Sequence, residues 1–367
     1  MSDFSRADYI HMAHALRLAR RGLYTAHPNP RVGCVLVKDD TVVGIGWHKK
    51  TGEAHAEINA LNDAGRNARG ATVYVTLEPC SHHGKTGPCT EALLDAGVAE
   101  VVVAIADPFE AASGRGMEVL LEAGVRVRDG LLEQEAAALN GGFISRLTRG
   151  RPLVRLKMAA SLDGCTAMAD GQSQWITGAA ARLDVQRLRA MSGAVLTGIG
   201  TVLEDDPSLT VRDKSLSDLQ PIRVVLDSRL RMPVASCMLT LPGRTHVFCV
   251  DDSKRKGLEK AGANVHVVPA AGAHADVDSV LRELAAMGVN EVLVEAGRRL
   301  AGAILAAGLV DELVIYQAPH IMGSQTRGMF ATPDWLRLQQ RMELDIVDVR
   351  RIGDDTRITA RPVRQRD

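Results

Sequence analysis

The sequence predicts two α/β domains in tandem, and three observations carry that expectation. Apolar runs of strand length alternate with stretches of helical spacing from the N-terminus to Arg149. The tetrapeptide Arg149 to Pro152 then punctuates the chain, and a second alternating series follows. Strand–helix alternation implies layers of helices on a mostly parallel sheet. A length of 367 residues suits two domains, and 46% hydrophobic residues suffice for two cores. The expected domains are residues 1–147 and 148–367.

Each element has a local reason. The opening segment, Met1 to Gly22, has amphipathic helical spacing. Val32 to His48 reads as two strands turning at Asp39-Asp40, a hairpin. Glu53 to Gly65 has helical spacing and a glycine stop. A β-rich run, Ala71 to Cys80, leads into a polar loop. A short helix follows from Pro88 to Gly97, proline opening it and glycine closing it. Glu100 to Pro108 is a buried strand, Gly116 to Gly124 a helix and Val125 to Gly130 a short strand. One helix is expected over Leu131 to Gly150. The second series contains strands at Pro152 to Gly164, Gly193 to Gly198, Ile222 to Ser228, Thr245 to Val250, Asn264 to Val268, Asn290 to Glu295 and Val310 to Pro319. Helices are expected between them, and residues 213–221 read as an exposed loop. No repeat, heptad or low-complexity tract is visible.

Composition narrows the partners. Lys+Arg and Asp+Glu both total 44, giving a formal net charge of zero. Binding through nucleic-acid phosphates favours a basic surplus, and aromatics at 3% offer few stacking platforms. A small-molecule substrate is therefore expected, with no nucleic-acid partner. No apolar run reaches the ~20 residues that span a bilayer, and the N-terminus lacks the basic start and apolar core of a secretory signal. Neither a membrane partner nor export is expected, and the chain reads as cytoplasmic. Six cysteines do not make a disulfide scaffold. Cys34, Cys165, Cys237 and Cys249 lie in or beside apolar runs and read as buried hydrophobes.

Cys80 and Cys89 differ, because the segment Glu78 to Cys89, EPCSHHGKTGPC, is polar and rich in Gly and Pro. Upstream, His55 and Glu57 stand two apart in GEAHAE. One imidazole and two thiolates are a three-ligand set for zinc, with the fourth position left for water. The zinc nucleobase deaminase pattern is H-x-E followed by P-C-x-x-C, in which the Glu is not a ligand; here eight residues separate Cys80 from Cys89, a longer loop than that short form. The pattern's chemistry explains the residue types. Zinc lowers the pKa of its water, and Glu57 can carry a proton from that water to the departing amine. A helix beginning near Glu53 would add positive potential beside the thiolates. A structural zinc would instead want a fourth protein ligand, which His82 or His83 could supply.

Three stretches, HPNPRVGCVLV, GIGWHKKTGEAHAE and TLEPCSHHGKTGPC, together resemble the deaminase half of the bifunctional riboflavin-biosynthesis deaminase/reductases. Family members usually carry two prolines before the second cysteine; here the first of these positions is Gly87. The resemblance implies a cytidine-deaminase-like α/β sandwich acting on a diaminopyrimidinone that carries a ribosylamino 5′-phosphate. It implies His82 and Lys85 as ribose and phosphate contacts and Asn29 and His48 as pyrimidine contacts. A lysine is a point charge suited to phosphate.

In the second domain Gly198 and Gly200 lack the third glycine of a dinucleotide fingerprint. A stronger phosphate candidate is the turn after the strand ending at Glu295, where Gly297 opens a helix and Arg298 and Arg299 add charge suited to a 2′-phosphate. KMAASLDG, SQWITG, TVLEDDPSLTVR and LVEAGRRLAG resemble the reductase half of the same family, whose fold is similar to dihydrofolate reductase. That resemblance implies an NADPH site lined by Ala159, Trp175, Thr201, Asp205, Ser228 and the Gly297 turn. It implies substrate contacts from Ser173, Arg189, Leu209, Arg212 and Glu295, with both arginines on the 5′-phosphate. Lys157 and Asp205 are candidates for polar or acid roles. The implied reaction delivers hydride to the C1′ carbon of a ribosylamino imine. α/β domains this apolar commonly associate, so a homo-oligomer, dimer or tetramer, is expected.

Two rivals start from the same residues. A nucleic-acid-editing deaminase is disfavoured by zero net charge and the SHHGKT loop. A non-catalytic zinc-stabilised binding protein would hold zinc without a water on the metal. Neither accounts for the second half.

Overall fold

The computed structural model describes residues 4–82, 87–109, 113–217, 219–333 and 335–363. The chain divides into two compact units, Met1–Gly150 and Arg151–Asp367.

The first unit begins with helix α1 (Arg6–Ala19), capped by Ser5 and Asp8 in a reciprocal capping box. Strands β1 (Gly33–Lys38) and β2 (Thr41–Trp47) form the expected hairpin. Asp39 and Asp40 both take positive φ, 48° and 56°, the backbone of a two-residue hairpin turn matched to strand twist. Then come α2 (Ala56–Ala64), β3 (Thr72–Val75), α3 (Cys89–Ala96), β4 (Glu100–Val103), α4 (Arg115–Glu122), β5 (Arg126–Asp129), α5 (Glu133–Leu139) and α6 (Gly141–Arg149). The sheet order is β2-β1-β3-β4-β5. β1 runs antiparallel to both neighbours, while β3, β4 and β5 are parallel. This sheet is mixed rather than mostly parallel, because the hairpin supplies its first pairing.

Two helices sandwich that sheet. Cys34 pairs with Gly46 and Leu36 with Gly44, so these four share one face. A Cβ on Gly46 would lie 2.2 Å from the Ala56 carbonyl, and one on Gly44 2.4 Å from that of Ala60. Glycine therefore lets α2 lie directly on β2, and any side chain there would lift the helix. Gly33, on the opposite face, meets α1 at Ala15 in the same way.

The single helix expected over Leu131 to Gly150 is two helices. They break at Asn140, whose backbone sits at φ −111°. The Asn140 amide accepts from the Arg31 N–H at 2.8 Å and donates to the Arg31 carbonyl at 3.0 Å. A contact 109 residues away thus overrides local helical spacing.

The second unit comprises β6 (Leu153–Ser161), β7 (Cys165–Ala167), α7 (Ala179–Met191), β8 (Ala194–Gly198), α8 (Ile199–Asp205), β9 (Ile222–Leu226), α9 (Cys237–Thr240), β10 (Thr245–Cys249), α10 (Arg255–Lys260) and β11 (Ala263–Val267). There follow β12 (Ala270–Ala271), β13 (His274–Ala275), α11 (Val277–Ala286), β14 (Glu291–Glu295), α12 (Arg298–Ala306), β15 (Glu312–Ala318), β16 (Arg327–Gly328), β17 (Leu344–Ile352) and β18 (Asp355–Pro362). Nine strands form one sheet in the order β11-β10-β9-β8-β14-β6-β15-β18-β17. It is parallel from β11 to β15 and antiparallel through β18 and β17. The central strands are buried on both faces and read as unbroken apolar runs such as Val292–Val294. The closing hairpin β17–β18 was not anticipated, because its strands interleave Arg and Asp with apolar residues. Of the four cysteines read as buried, Cys34, Cys165 and Cys249 are; Cys237 is half-exposed. It starts the short α9, where its thiol donates to the Asp206 carbonyl at 3.0 Å.

Candidate active sites

The first site stands where two helix N-termini meet. α2 starts at Ala56 with His55 as its N-cap, not near Glu53. The His55 side chain makes no capping bond, which frees the imidazole to face outward from the helix end. Cys89 is the first residue of α3, and its N–H donates to the Cys80 sulfur at 3.4 Å. Both ends bring positive dipole potential to the thiols.

His55 Nδ1 lies 3.3 Å from Cys89 Sγ and 3.6 Å from Cys80 Sγ. The three donor atoms fall within 4.8 Å of one another. Tetrahedral zinc with Zn–N of about 2.0–2.1 Å and Zn–S of about 2.3 Å requires N···S separations of about 3.5 Å, so the donor set fits zinc. Both cysteines are free thiols. Among the described residues the cluster contains these three ligands; His82 is exposed and outside it, and His83 lies outside the described residues. Cys80 is pushed down, chiefly by the hydrogen bond from Cys89 and also by His55, while Cys89 keeps the shared proton and is pushed up. The hydrogen bond to Cys80 raises His55.

Glu57, in the first turn of α2, is 4% exposed. Burial pushes its carboxyl up to about 7, against its own N–H and His55, which pull the other way. Its side chain meets the Cys89 thiol. A carboxyl with that value exchanges a proton near neutrality, as a shuttle must; a bound cation beside it lowers the value.

His48 and Asn29 form a fixed pair beside these ligands. The His48 ring stands edge-on to that of His55, with centroids 5.6 Å apart. His48 Nδ1 lies 3.2 Å from the Ala54 carbonyl, which can only accept, so Nδ1 carries the proton. Nε2 then accepts from the Asn29 amide at 3.1 Å. Burial lowers His48 and keeps it neutral. The Asn29 amide is thereby oriented, with its oxygen left for a ligand donor. Lys85 lies outside the described residues.

The second site is a cleft of about 1610 Å³ in the second unit. It opens at the carboxyl ends of β6, β8 and β14, where strand order reverses between β8 and β6; ligands of open α/β sheets bind at such points. Lys157 and Ala159 line it from β6, and Glu295 from the end of β14. The turns at Gly198–Thr201 and Gly297–Arg299 lie side by side: a Cβ on Gly297 would be 3.9 Å from the Thr201 hydroxyl. Arg298 and Arg299 are exposed on its rim. Ser173, Trp175, Asp205, Leu209, Arg212 and Ser228 also line it. Every reductase residue singled out from the sequence therefore faces one cleft.

Contacts inside the cleft add what the sequence did not show. Arg189 donates to both Glu295 oxygens, at 2.6 and 3.1 Å, and to the Thr210 carbonyl at 3.0 Å. Burial would raise Glu295, but Arg189, then Lys157 and Arg212, hold it down. Burial lowers Lys157 in turn. The exposed Trp175 ring is stacked by Arg182 at 4.7 Å, and the neighbouring Gln174 donates to Asp205 at 3.0 Å. The Ser228 hydroxyl accepts from the Ala275 N–H at 2.9 Å, tying the β12–β13 hairpin to the rim. Gln174 stands in the SQWITG stretch but was given no role from the sequence, and Arg182 lies in no motif. Arg182 differs from other surface arginines only by its partner.

Comparisons with known proteins give the family of each part of the chain. Residues 5–105 match the family model described as the cytidine and deoxycytidylate deaminase zinc-binding region, and residues 152–358 match the RibD C-terminal domain. The chain is 46% identical to riboflavin biosynthesis protein RibD of Escherichia coli, over 95% of this chain and 97% of that protein. It is 43% identical to that of Haemophilus influenzae, over 99% of each. The structure of Acinetobacter baumannii RibD superposes with a TM-score of 0.92 at 44% identity, covering 98% of this chain and 99% of that one. The Thermotoga maritima diaminohydroxyphosphoribosylaminopyrimidine deaminase/5-amino-6-(5-phosphoribosylamino)uracil reductase superposes at 0.86 with 33% identity, over 97% and 99%. With a deaminase zinc-binding unit followed by a reductase unit, and relatives matched over nearly their whole length, the chain belongs to the RibD family of bifunctional riboflavin-biosynthesis deaminase/reductases.

Proposed function

We propose that the two sites act in sequence on one pyrimidine ribotide. The first deaminates 2,5-diamino-6-(5-phosphoribosylamino)pyrimidin-4(3H)-one. The second reduces the ribosyl group of the product to ribityl with NADPH. The observation that supports this best is the convergence of His55, Cys80 and Cys89 beside the buried Glu57, in a chain whose other unit has its own large cleft.

At the first site His55, Cys80 and Cys89 would hold zinc, which when bound would supply an acidified water as the nucleophile at neutral pH. Glu57 takes the proton of the attacking water and returns it to the ring amine, which leaves as ammonia as the C–N bond breaks. Asn29 and the neutral His48 orient the pyrimidine, and His82 with Lys85 contact the ribose phosphate.

At the second site the reduced nicotinamide supplies the hydride. Ala159, Trp175, Thr201, Asp205, Ser228 and the Gly297 turn hold the cofactor, with Arg298 and Arg299 on its 2′-phosphate. Ser173, Leu209, Arg189, Arg212 and Glu295 hold the substrate. Hydride adds to C1′ of the ring-opened imine, and the nitrogen takes a proton. The lowered pKa of Lys157 suits it to supply that proton. Arg212 is the freer phosphate partner, since Arg189 is already paired with Glu295.

Copies of the chain also associate, as a dimer or tetramer. Support comes from the edge strand β17, on which Ile346 is 60% and Val349 58% exposed; an apolar edge of this kind templates pairing. Light scattering at micromolar concentration would return the monomer mass if this is wrong. No described helix is long and apolar enough to cross a membrane. A cytoplasmic setting, where thiols stay reduced, suits ligation by Cys80 and Cys89.

One assay tests the reading. Purified protein is incubated with the diaminopyrimidinone phosphate, with and without NADPH, and ammonia and NADPH are followed separately. Ammonia should appear without NADPH, and NADPH should be consumed only after ammonia is released. NADPH oxidation without ammonia would reverse the proposed order.

A further inference from the structure

Glu78, two residues before the ligand Cys80, is 5% exposed and faces no cation in the ion pairs of the described residues. Its carboxylate is instead filled by main-chain donors from a segment about thirty residues downstream. Oε2 accepts from the N–H groups of Asp107 and Gly114, each at 2.9 Å. Oε1 accepts from those of Gly116 at 2.8 Å and Met117 at 3.2 Å. The donors at 114, 116 and 117 belong to the N-terminus of α4, where unpaired N–H groups and the helix dipole favour an anion. Asp107 follows β4, so one carboxylate gathers the exit of β4 and the start of α4.

The contact behind that carboxylate is equally tight. A Cβ on Gly116 would lie 2.0 Å from the Pro79 carbonyl oxygen, so the first turn of α4 presses on the peptide that leads into Cys80. The Asp107 carboxyl is carried to the same place: burial raises it, and the charges of Glu78, His82 and Cys80 all act on it.

We propose that Glu78 is a positioning residue of the deaminase. By gathering four N–H groups it seats α4 and Asp107 against Pro79, and so sets the Cys80 sulfur and one wall of the substrate site together. This rests on the deaminase reading of the first site. Partners one step behind metal ligands typically matter by about 10- to 100-fold in affinity or activity.

The test is Glu78→Gln in the full chain. The amide turns an NH2 toward two of the four N–H donors, so two bonds are lost while shape is kept. Three readouts are taken: zinc per chain, hydrogen exchange at Asp107, Gly114, Gly116 and Met117, and the deaminase kcat and KM. The expected result is retained zinc, faster exchange at those amides, and a fall in ammonia-release kcat/KM of about 10-fold or more, with KM carrying part of it. NADPH oxidation on deaminated substrate should stay within twofold. Gly116→Ala, with the carboxylate intact, should reproduce the deaminase loss by displacing Pro79. Ammonia release within twofold of wild type in Glu78→Gln overturns the proposal. Loss of zinc in parallel with activity also overturns it, because Glu78 would then hold the domain together rather than set the site. If the wild-type chain itself releases no ammonia, the deaminase reading fails instead.

Discussion

Glu57 illustrates how much a single position decides. It is buried beside Cys89 and holds its proton up to about 7, so charge and burial both suit a shuttle. Glu57→Gln keeps shape and hydrogen-bonding capacity but cannot carry a proton. Ammonia release should fall about 100-fold or more, with zinc content unchanged by elemental analysis; near-normal release would assign the proton to another group. The arginines of the reductase cleft divide differently. Arg212→Ala should raise the substrate KM by the loss of one charge-assisted contact, about 1.5–3 kcal/mol. Arg189→Ala removes the partner of the mostly buried Glu295, and breaking a buried pair costs up to about 3–5 kcal/mol of stability. A thermal melt should therefore separate the two variants, with only Arg189→Ala melting markedly lower.

At the scale of elements, side chains that reach across the chain set where helices start, stop and bend. Asn140 breaks one predicted helix into α5 and α6 by pairing with both main-chain groups of Arg31. Asn140→Ala would remove both of those buried hydrogen bonds, at about 0.5–1.5 kcal/mol each. The melting temperature of the first unit should drop, even though alanine is the better helix former. α1 is tied similarly. Burial alone would raise the Asp8 carboxyl, but hydrogen bonds from Arg128, Tyr74 and Ser5 outweigh it and hold it well below its ordinary 3.8. A depressed carboxyl stabilises the fold above its unfolded value and loses that contribution as pH falls through its folded one. Acid unfolding of the first unit should thus begin below about pH 4, and Asp8→Asn should abolish this component in a pH titration of stability.

For the whole molecule, the two candidate sites use separate residues: His55, Cys80, Cys89 and Glu57 lie in the unit ending at Gly150, and the cleft residues in the unit beginning at Arg151. Removing zinc with a chelator should abolish ammonia release and lower the melting transition of the first unit, because metal binding energy is folding energy for the segments that hold it. NADPH oxidation on deaminated substrate should continue at its original rate. A parallel loss of both activities on chelation would show that the units depend on one another.

Where chemistry restricts residue identity, the sequence marks candidates. Zinc accepts few ligand types, and a proton shuttle needs a carboxylate beside it, so spacing singles out His55, Glu57, Cys80 and Cys89, and the structure brings the three donor atoms within 4.8 Å of one another. Periodicity marks the buried central strands for the same reason: desolvation tolerates little but apolar side chains. The Gly297 turn was legible as a helix start after a strand, and the structure places it on the cleft. Tertiary structure decided what depends on partners remote in the chain. It turned Arg189 toward Glu295 and broke a helix at Asn140. It left Cys237 half-exposed, and it added β17 and β18 to the sheet. It also gave Glu78 four main-chain donors from residues 107–117, which no local pattern marks. Main-chain N–H groups are the same in every residue but proline, so a carboxylate that recruits them leaves no complementary side chain to read.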